Sequence, residues 1–93
     1  AWKNRVNIED SLFAGAVISR IGKHFSINCD SSQIARTMYK DAKVDLFQFM
    51  KSKNASHYLR LSGFGLEKDI RYCLTEDVAN TTVLYEDGKL LAK

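Results

Sequence analysis

From residue 7 to residue 18 the chain reads NIEDSLFAGAVI, with two adjacent acids followed, after Ser11, by seven uncharged and mostly apolar positions. Asn7 suits a helix N-cap, which puts Glu9 and Asp10 in the first turn, where unpaired backbone N–H groups point outward. The spacing predicts a helix over 8–24 with Leu12, Phe13, Ala16, Val17 and Ile21 turned inward. Apolar residues run round this helix rather than along one stripe, so cover on more than one side is expected. Gly15 interrupts the pattern without ending it. A mid-helix glycine costs ~1 kcal/mol against alanine, and its presence points to close approach of another backbone.

A polar break over 28–32 follows, and Ser31 or Ser32 is expected to cap a second helix carrying Ile34, Ala35, Met38, Tyr39 and Ala42. That helix is expected to bend near Asp41 into a third segment, in which Val44, Phe47 and Met50 keep a three-residue spacing and Leu46 and Phe49 widen the face. Residues 54–56 read as the cap of a short helix bearing Tyr58, Leu59 and Leu61. Gly63 and Gly65 read as a helix stop followed by a turn. Leu66, Ile70, Cys73 and Leu74 then define a last helix of about ten residues. The tail changes period: residues 81–85 and 89–92 are β-prone and flank Asp87-Gly88, a two-residue type I′ turn signal, so the chain should close in a hairpin. A lone hairpin is marginal in water and is expected to pack on the helices or extend a sheet built by other sequence.

Composition narrows the class. The 93 residues suit one domain, 1–93, with a modest core, and the absence of proline favours helices joined by Gly, Ser, Asn and Asp. The chain opens on Ala1 with a polar lead of Trp2, Lys3, Asn4 and Arg5, which reads as a portion of a longer polypeptide. Two cysteines, Cys29 and Cys73, are too few and too far apart for a disulfide framework or a four-ligand zinc site. A reduced, cytoplasmic setting is the expectation. A net charge of +3, with acids interleaved among the bases, points to no nucleic-acid partner, and no apolar run approaches the ~20 residues of a membrane span.

For chemistry, Glu9 and Asp10 come first. They either complement the helix dipole or ligate Mg²⁺ and position water, a task suited to hard carboxylate oxygens. Lys3 and Arg5 just upstream, with Asn7, are placed to meet phosphate or sulfonate oxygens at the same helix mouth, or else are solvated charges. His24 reads as a C-terminal cap of the first helix, His57 as a surface residue, Cys73 as a small buried hydrophobe, and Cys29 as a loop thiol that is reactive if exposed. Tyr39, Tyr58, Tyr72 and Tyr85 are read mostly as core positions rather than as a stacking surface for bases.

Four segments in order, VNIEDSLFAGAVISRI, SSQIARTMYK, FGLEKDIRYCLTED and VLYEDGKLLAK, resemble the C-terminal part of the 2-phosphosulfolactate phosphatase family. The most specific likenesses are Ile8-Glu9-Asp10 with Ala14-Gly15-Ala16, and Gly65-Leu66 with Asp69, Cys73 and Asp77. The resemblance implies a Mg²⁺-dependent phosphohydrolase of α/β, three-layer fold in which this segment supplies helices and a hairpin. It further implies hydrolysis of 2-phosphosulfolactate to sulfolactate and phosphate on the route to coenzyme M. On that reading Glu9 and Asp10 are catalytic and metal-holding, and the N-terminal half of the same protein completes the site. The chain departs from the family in carrying Thr82-Val83 without a proline before the final strand, and in a longer link over 51–62. A small helical module that binds protein or nucleic acid is the competing function, and symmetric self-association through the apolar face of the first helix is a third.

Overall fold

The computed structural model describes residues 2–93. Five helices are followed by one antiparallel hairpin: α1 (Ile8–Ile21), α2 (Asp30–Ala42), α3 (Leu46–Ser52), α4 (Ser56–Gly63), α5 (Glu67–Cys73), β1 (Val83–Glu86) and β2 (Lys89–Ala92). The chain is thus mainly helical with a C-terminal two-stranded sheet, as its pattern predicts.

The lead before α1 is ordered. Trp2 and Arg5 exchange backbone hydrogen bonds, Trp2 N–H to Arg5 O at 3.3 Å and Arg5 N–H to Trp2 O at 3.0 Å, across Lys3 and Asn4. Both central residues have positive φ, 50° and 59°, the signature of a type I′ turn. Asn tolerates this conformation; Lys does so at a cost of about 1 kcal/mol.

α1 starts at the expected residue but stops at Ile21, three residues short of His24. Gly22 N–H reaches back to Ile18 O at 2.8 Å, and His24 N–H to Ile21 O at 2.8 Å, so His24 closes the turn through its backbone rather than by a side-chain cap. The buried positions of α1 are Leu12 and Gly15, whereas Phe13 is 73% exposed and Val17 and Ile21 are over a third exposed. The expected inward face is therefore rotated. Its cause is Gly15, which lies against the Ala35 backbone and Tyr39 Cβ of α2 and so sets the closest line between the two helices. α1 and α2 form the most extensive helix pair of the fold.

The remaining helix boundaries follow from local chemistry. α2 begins two or three residues earlier than a cap at Ser31 or Ser32 would place it, with Cys29 as N-cap and Gln33 N–H bonded to Cys29 O at 3.1 Å. Rather than bending at Asp41, the chain breaks after Ala42 and restarts at Asp45, whose carboxylate Oδ1 accepts from Gln48 N–H at 2.9 Å. Val44 lies in that break and is 90% exposed. α3 and α4 end alike. A left-handed residue, Asn54 (φ 49°) or Gly65 (φ 74°), turns the chain so that Ala55 N–H reaches Met50 O and Leu66 N–H reaches Leu61 O, both at 3.0 Å.

Leu12, Ala42, Phe47, Met50, Ala55, Tyr58 and Ile70 form the core, with Ile8, Met38, Leu46, Phe49, Leu61 and Leu74 packed on it. Phe47 and Tyr58 meet edge to face, their centroids 5.8 Å apart, and the Arg71 guanidinium covers Phe47 at 3.7 Å. Tyr58 keeps its hydroxyl satisfied by donating to Glu67 Oε1 at 3.0 Å. Burial, reinforced by that carboxylate, pushes the Tyr58 hydroxyl pKa up. Tyr39 and Tyr58 are core residues, but Tyr72 and Tyr85 are exposed, as is Cys73, the last residue of a helix of only seven residues.

The hairpin turns on Asp87 and Gly88, with φ of 49° and 77°, and pairs Val83 with Ala92, Leu84 with Leu91, Tyr85 with Leu90 and Glu86 with Lys89. All eight strand residues are exposed, on both faces of the ribbon. The Cα radius of gyration, 14.6 Å, exceeds the ~12 Å of a compact domain of this length, consistent with helix and strand faces that these residues leave uncovered.

Candidate functional site

Successive residues of a helix point about 100° apart, and at the mouth of α1 this separates the two acids. Glu9 turns toward α4, where its Oε1 lies 3.0 Å from His57 Nδ1. Asp10 turns the other way, into a shallow cleft shared with Asn7, Ser11, Ser31 and Ser32. The Asn7 amide, oriented to satisfy both its ends, donates to Asp10 Oδ2 at 2.7 Å and accepts from Trp2 N–H at 3.3 Å. Asn7 is the N-cap residue by backbone conformation, yet its side chain joins the lead to Asp10 instead of closing on the helix.

Glu9 and His57 are each about three-quarters buried. Their far atoms, Glu9 Oε2 and His57 Nε2, are shut off from solvent and have no hydrogen-bond partner among the described residues. A buried carboxylate oxygen without a partner costs free energy that a cation or a proton donor would recover. It lies in the first turn of α1, where the helix dipole favours negative charge. A carboxylate oxygen is a donor that Mg²⁺ uses, but the ion keeps most of its positions for water and phosphate oxygens, so a site at Oε2 would require the cover over the pair to open. Among the described residues no three Asp, Glu, His or Cys side chains converge on one point.

Trp2 covers this pair. Its ring meets the His57 imidazole edge to face, centroids 6.0 Å apart at 85°. Two cations lie on the same indole, Lys3 Nζ at 5.6 Å and the Arg60 guanidinium at 5.1 Å from its centroid. Arg5 closes the I′ turn through its backbone. Of the residues singled out in the sequence, Glu9 lies with His57 under Trp2, Lys3 and Arg60 lie over the same indole, and Asp10 lies with Asn7 on the other side of α1, so the two acids do not converge. His57 reads as a surface residue in the sequence because its partner is 48 positions away; the available signal is the i, i+3 spacing of His57 and Arg60, which puts both on one face of α4.

Along the uncovered side of α1 runs a groove of about 540 Å³ between Phe13 and Val17 on one wall and Leu46, Cys73 and Leu74 on the other. At its far end Glu76 accepts from Arg20 Nη2 at 2.8 Å and from the Tyr39 hydroxyl at 2.7 Å. The guanidinium first, and then the phenol, hold the Glu76 carboxyl below its ordinary value; the same carboxylate raises Tyr39 and Arg20. This triad ties α1, α2 and the segment after α5 together, and no motif announces it. Separately, Cys29 is exposed, and a hydrogen bond with Ser31, aided by the Ser32 and Ser31 backbone at the start of α2, lowers its thiol to about 7.

No helix among the described residues is long and apolar enough to cross a membrane. Comparison with known proteins supplies the context for the α1 mouth. The family model for 2-phosphosulpholactate phosphatase matches residues 1–88. Proteins named probable 2-phosphosulfolactate phosphatase are similar to the chain: one from Synechocystis sp. is 34% identical over 80 residues, covering 83% of this chain and 32% of its own length. Those from Thermotoga petrophila and Thermotoga maritima are 32% and 30% identical over 89 residues, each covering 96% of this chain and 37% of the relative. The chain thus spans about a third of the length of these curated relatives. No solved structure matches it significantly. With a match over residues 1–88, almost its whole length, the chain belongs to the 2-phosphosulfolactate phosphatase family.

Proposed function

We propose that the chain supplies the Glu9 end of the reaction centre of a Mg²⁺-dependent phosphatase that hydrolyses 2-phosphosulfolactate to sulfolactate and phosphate, of the kind used in making coenzyme M. On this reading it belongs to a three-layer α/β protein whose other two-thirds complete the site, and it works in the cytoplasm. The observation that carries the reading is the buried, unpartnered Glu9 Oε2 at the start of α1, in a chain whose relatives are named as phosphatases.

Glu9 is the group that would offer Mg²⁺ an oxygen at this place; Asp10, turned to the other side of α1, would reach the ion only from a different direction. When bound, the ion would neutralise phosphoryl oxygens and lower the pKa of water. Phosphoryl transfer asks little covalent chemistry of a protein and much positioning and charge stabilisation. Glu9, held through Oε1 by His57, presents Oε2 in a fixed direction. Burial around the pair lowers the local dielectric and strengthens every charge interaction there. Asp10 is oriented by the Asn7 amide. Lys3 and Arg5, in the turn ahead of α1, would help screen a substrate that bears several negative charges, which must be screened before a nucleophile can approach phosphorus.

The test is phosphate release by the protein with the remaining family polypeptide in place, with and without Mg²⁺. Glu9→Gln is expected to lower kcat about a hundredfold or more, and Asp10→Asn to lower it as well, as for loss of one charge-stabilising group. Full activity in both variants removes these residues from the mechanism. A second reading, a module that docks another protein, is favoured by the exposed Phe13 and Val17 along the α1 groove.

A further inference from the structure

The cations around Trp2 have a feature that the fold does not account for. Among the described residues neither Lys3 nor Arg60 has an acidic partner, although both sit on one indole. Placing like charges together costs electrostatic energy, and an exposed cation–π contact returns only about 0.5–1 kcal/mol. The turn that delivers Lys3 also holds it at positive φ, an added cost for a lysine. An anion received by these side chains would offset these costs. A guanidinium placed over an indole can keep its N–H edge for two parallel bonds to one oxyanion, the geometry that distinguishes arginine from lysine.

Position gives this arrangement its meaning. Arg60 lies one helical turn beyond His57 on α4, and the chain of contacts Arg60, Trp2, His57, Glu9 is continuous, with 5.1, 6.0 and 3.0 Å between neighbours. Arg60 is thus linked to the candidate metal carboxylate through two rings, and an anion on Arg60 would occupy a place distinct from it. We propose that Arg60 and Lys3, braced on Trp2, receive a tetrahedral oxyanion, holding one acidic group of the phosphate ester on the Trp2 side of the α1 mouth. This rests on the reading of the α1 mouth as the reaction site, and adds Arg60 and Trp2 to it as binding residues.

Trp2 is the sole tryptophan of the chain, so its emission reports on this site directly. The 93-residue chain is titrated with inorganic phosphate, with sulfate and with acetate, at ionic strength held constant with chloride. Phosphate and sulfate are expected to change the emission saturably in the millimolar range, and acetate at least about fivefold more weakly. Arg60→Gln is expected to weaken binding about tenfold or more, Arg60→Lys to give an intermediate value, and Lys40→Gln on α2 to leave it unchanged, with far-UV circular dichroism confirming the fold of each variant. A response that chloride reproduces, or that Arg60→Gln leaves intact, overturns the oxyanion site. Glu9→Gln separates the two ideas, since it is expected to keep oxyanion binding in the chain while lowering Mg²⁺-dependent phosphate release in the longer protein about a hundredfold or more. Intact binding with Glu9-independent activity would defeat the reaction-site reading alone.

Discussion

Replacing Gly15 with alanine tests the packing that orients the whole site. A methyl group at this position would sit 2.7 Å from Tyr39 Cβ and 2.8 Å from the Ala35 carbonyl carbon, with the Ala35 carbonyl oxygen nearer still. Carbon atoms in contact rest at about 3.5–4.0 Å, so about 1 Å must be recovered. None of the three atoms is the end of a flexible side chain. Relief therefore requires α1 and α2 to part, which loosens Leu12, Ala35 and Tyr39 together. Overpacking of this kind costs about 3 kcal/mol or somewhat more, and the better helix propensity of alanine returns about 1 kcal/mol. The net expectation is a loss of about 2–3 kcal/mol, or roughly 10–20 °C in Tm for a chain of this length. Urea and thermal unfolding followed at 222 nm measure it. Gly63→Ala is the control, since nothing lies within 4 Å of a methyl group there, and it is expected to change stability by less than about 1 kcal/mol. A Gly15→Ala protein as stable as the original would refute the claim that backbone approach fixes the α1–α2 line.

Two further expectations follow from ionisation. Glu76 is held below its ordinary value of 4.5 by Arg20 and Tyr39, so its contribution is fully present above about 4.5 and is lost as pH falls through the lower folded value. Acid unfolding between about pH 4.5 and 3 should be less steep in Glu76→Gln than in the parent; the difference should stay under about 1 kcal/mol because the Arg20 side chain is half exposed, and equal slopes would remove the triad from the account. In a Cys73→Ser background, alkylation of Cys29 by iodoacetamide should have its midpoint near pH 7, falling tenfold per unit below it, and Ser31→Ala should move the midpoint upward; a midpoint near the ordinary 9.0 would contradict the Ser31 contact.

What could be read in advance was local. Asp87-Gly88 required positive φ twice in succession, and the hairpin turned there. Gly65 ended α4 because a left-handed residue is needed where the last carbonyls close on the following N–H groups. Gly15 signalled a close backbone because a helix tolerates glycine poorly without a packing reason. The acids in the first turn of α1 likewise announced a polar helix mouth, and the order of segments along the chain announced the family. Asp45 was legible in principle, as an acid three residues before Gln48, but the apolar spacing of Val44, Phe47 and Met50 concealed the break.

The tertiary structure alone decided which faces those elements turn to one another. Periodicity marks α1 as apolar nearly all round, so it cannot choose between Phe13 and Gly15 as the buried side; the fit of a side-chain-free line against α2 made that choice. Nor can it pair residues far apart in the chain. Glu9 with His57, Arg60 with Trp2 and Glu76 with Tyr39 each join segments more than 35 positions apart, and such contacts depend on how the helices pack, a property of the assembled core rather than of any stretch within it.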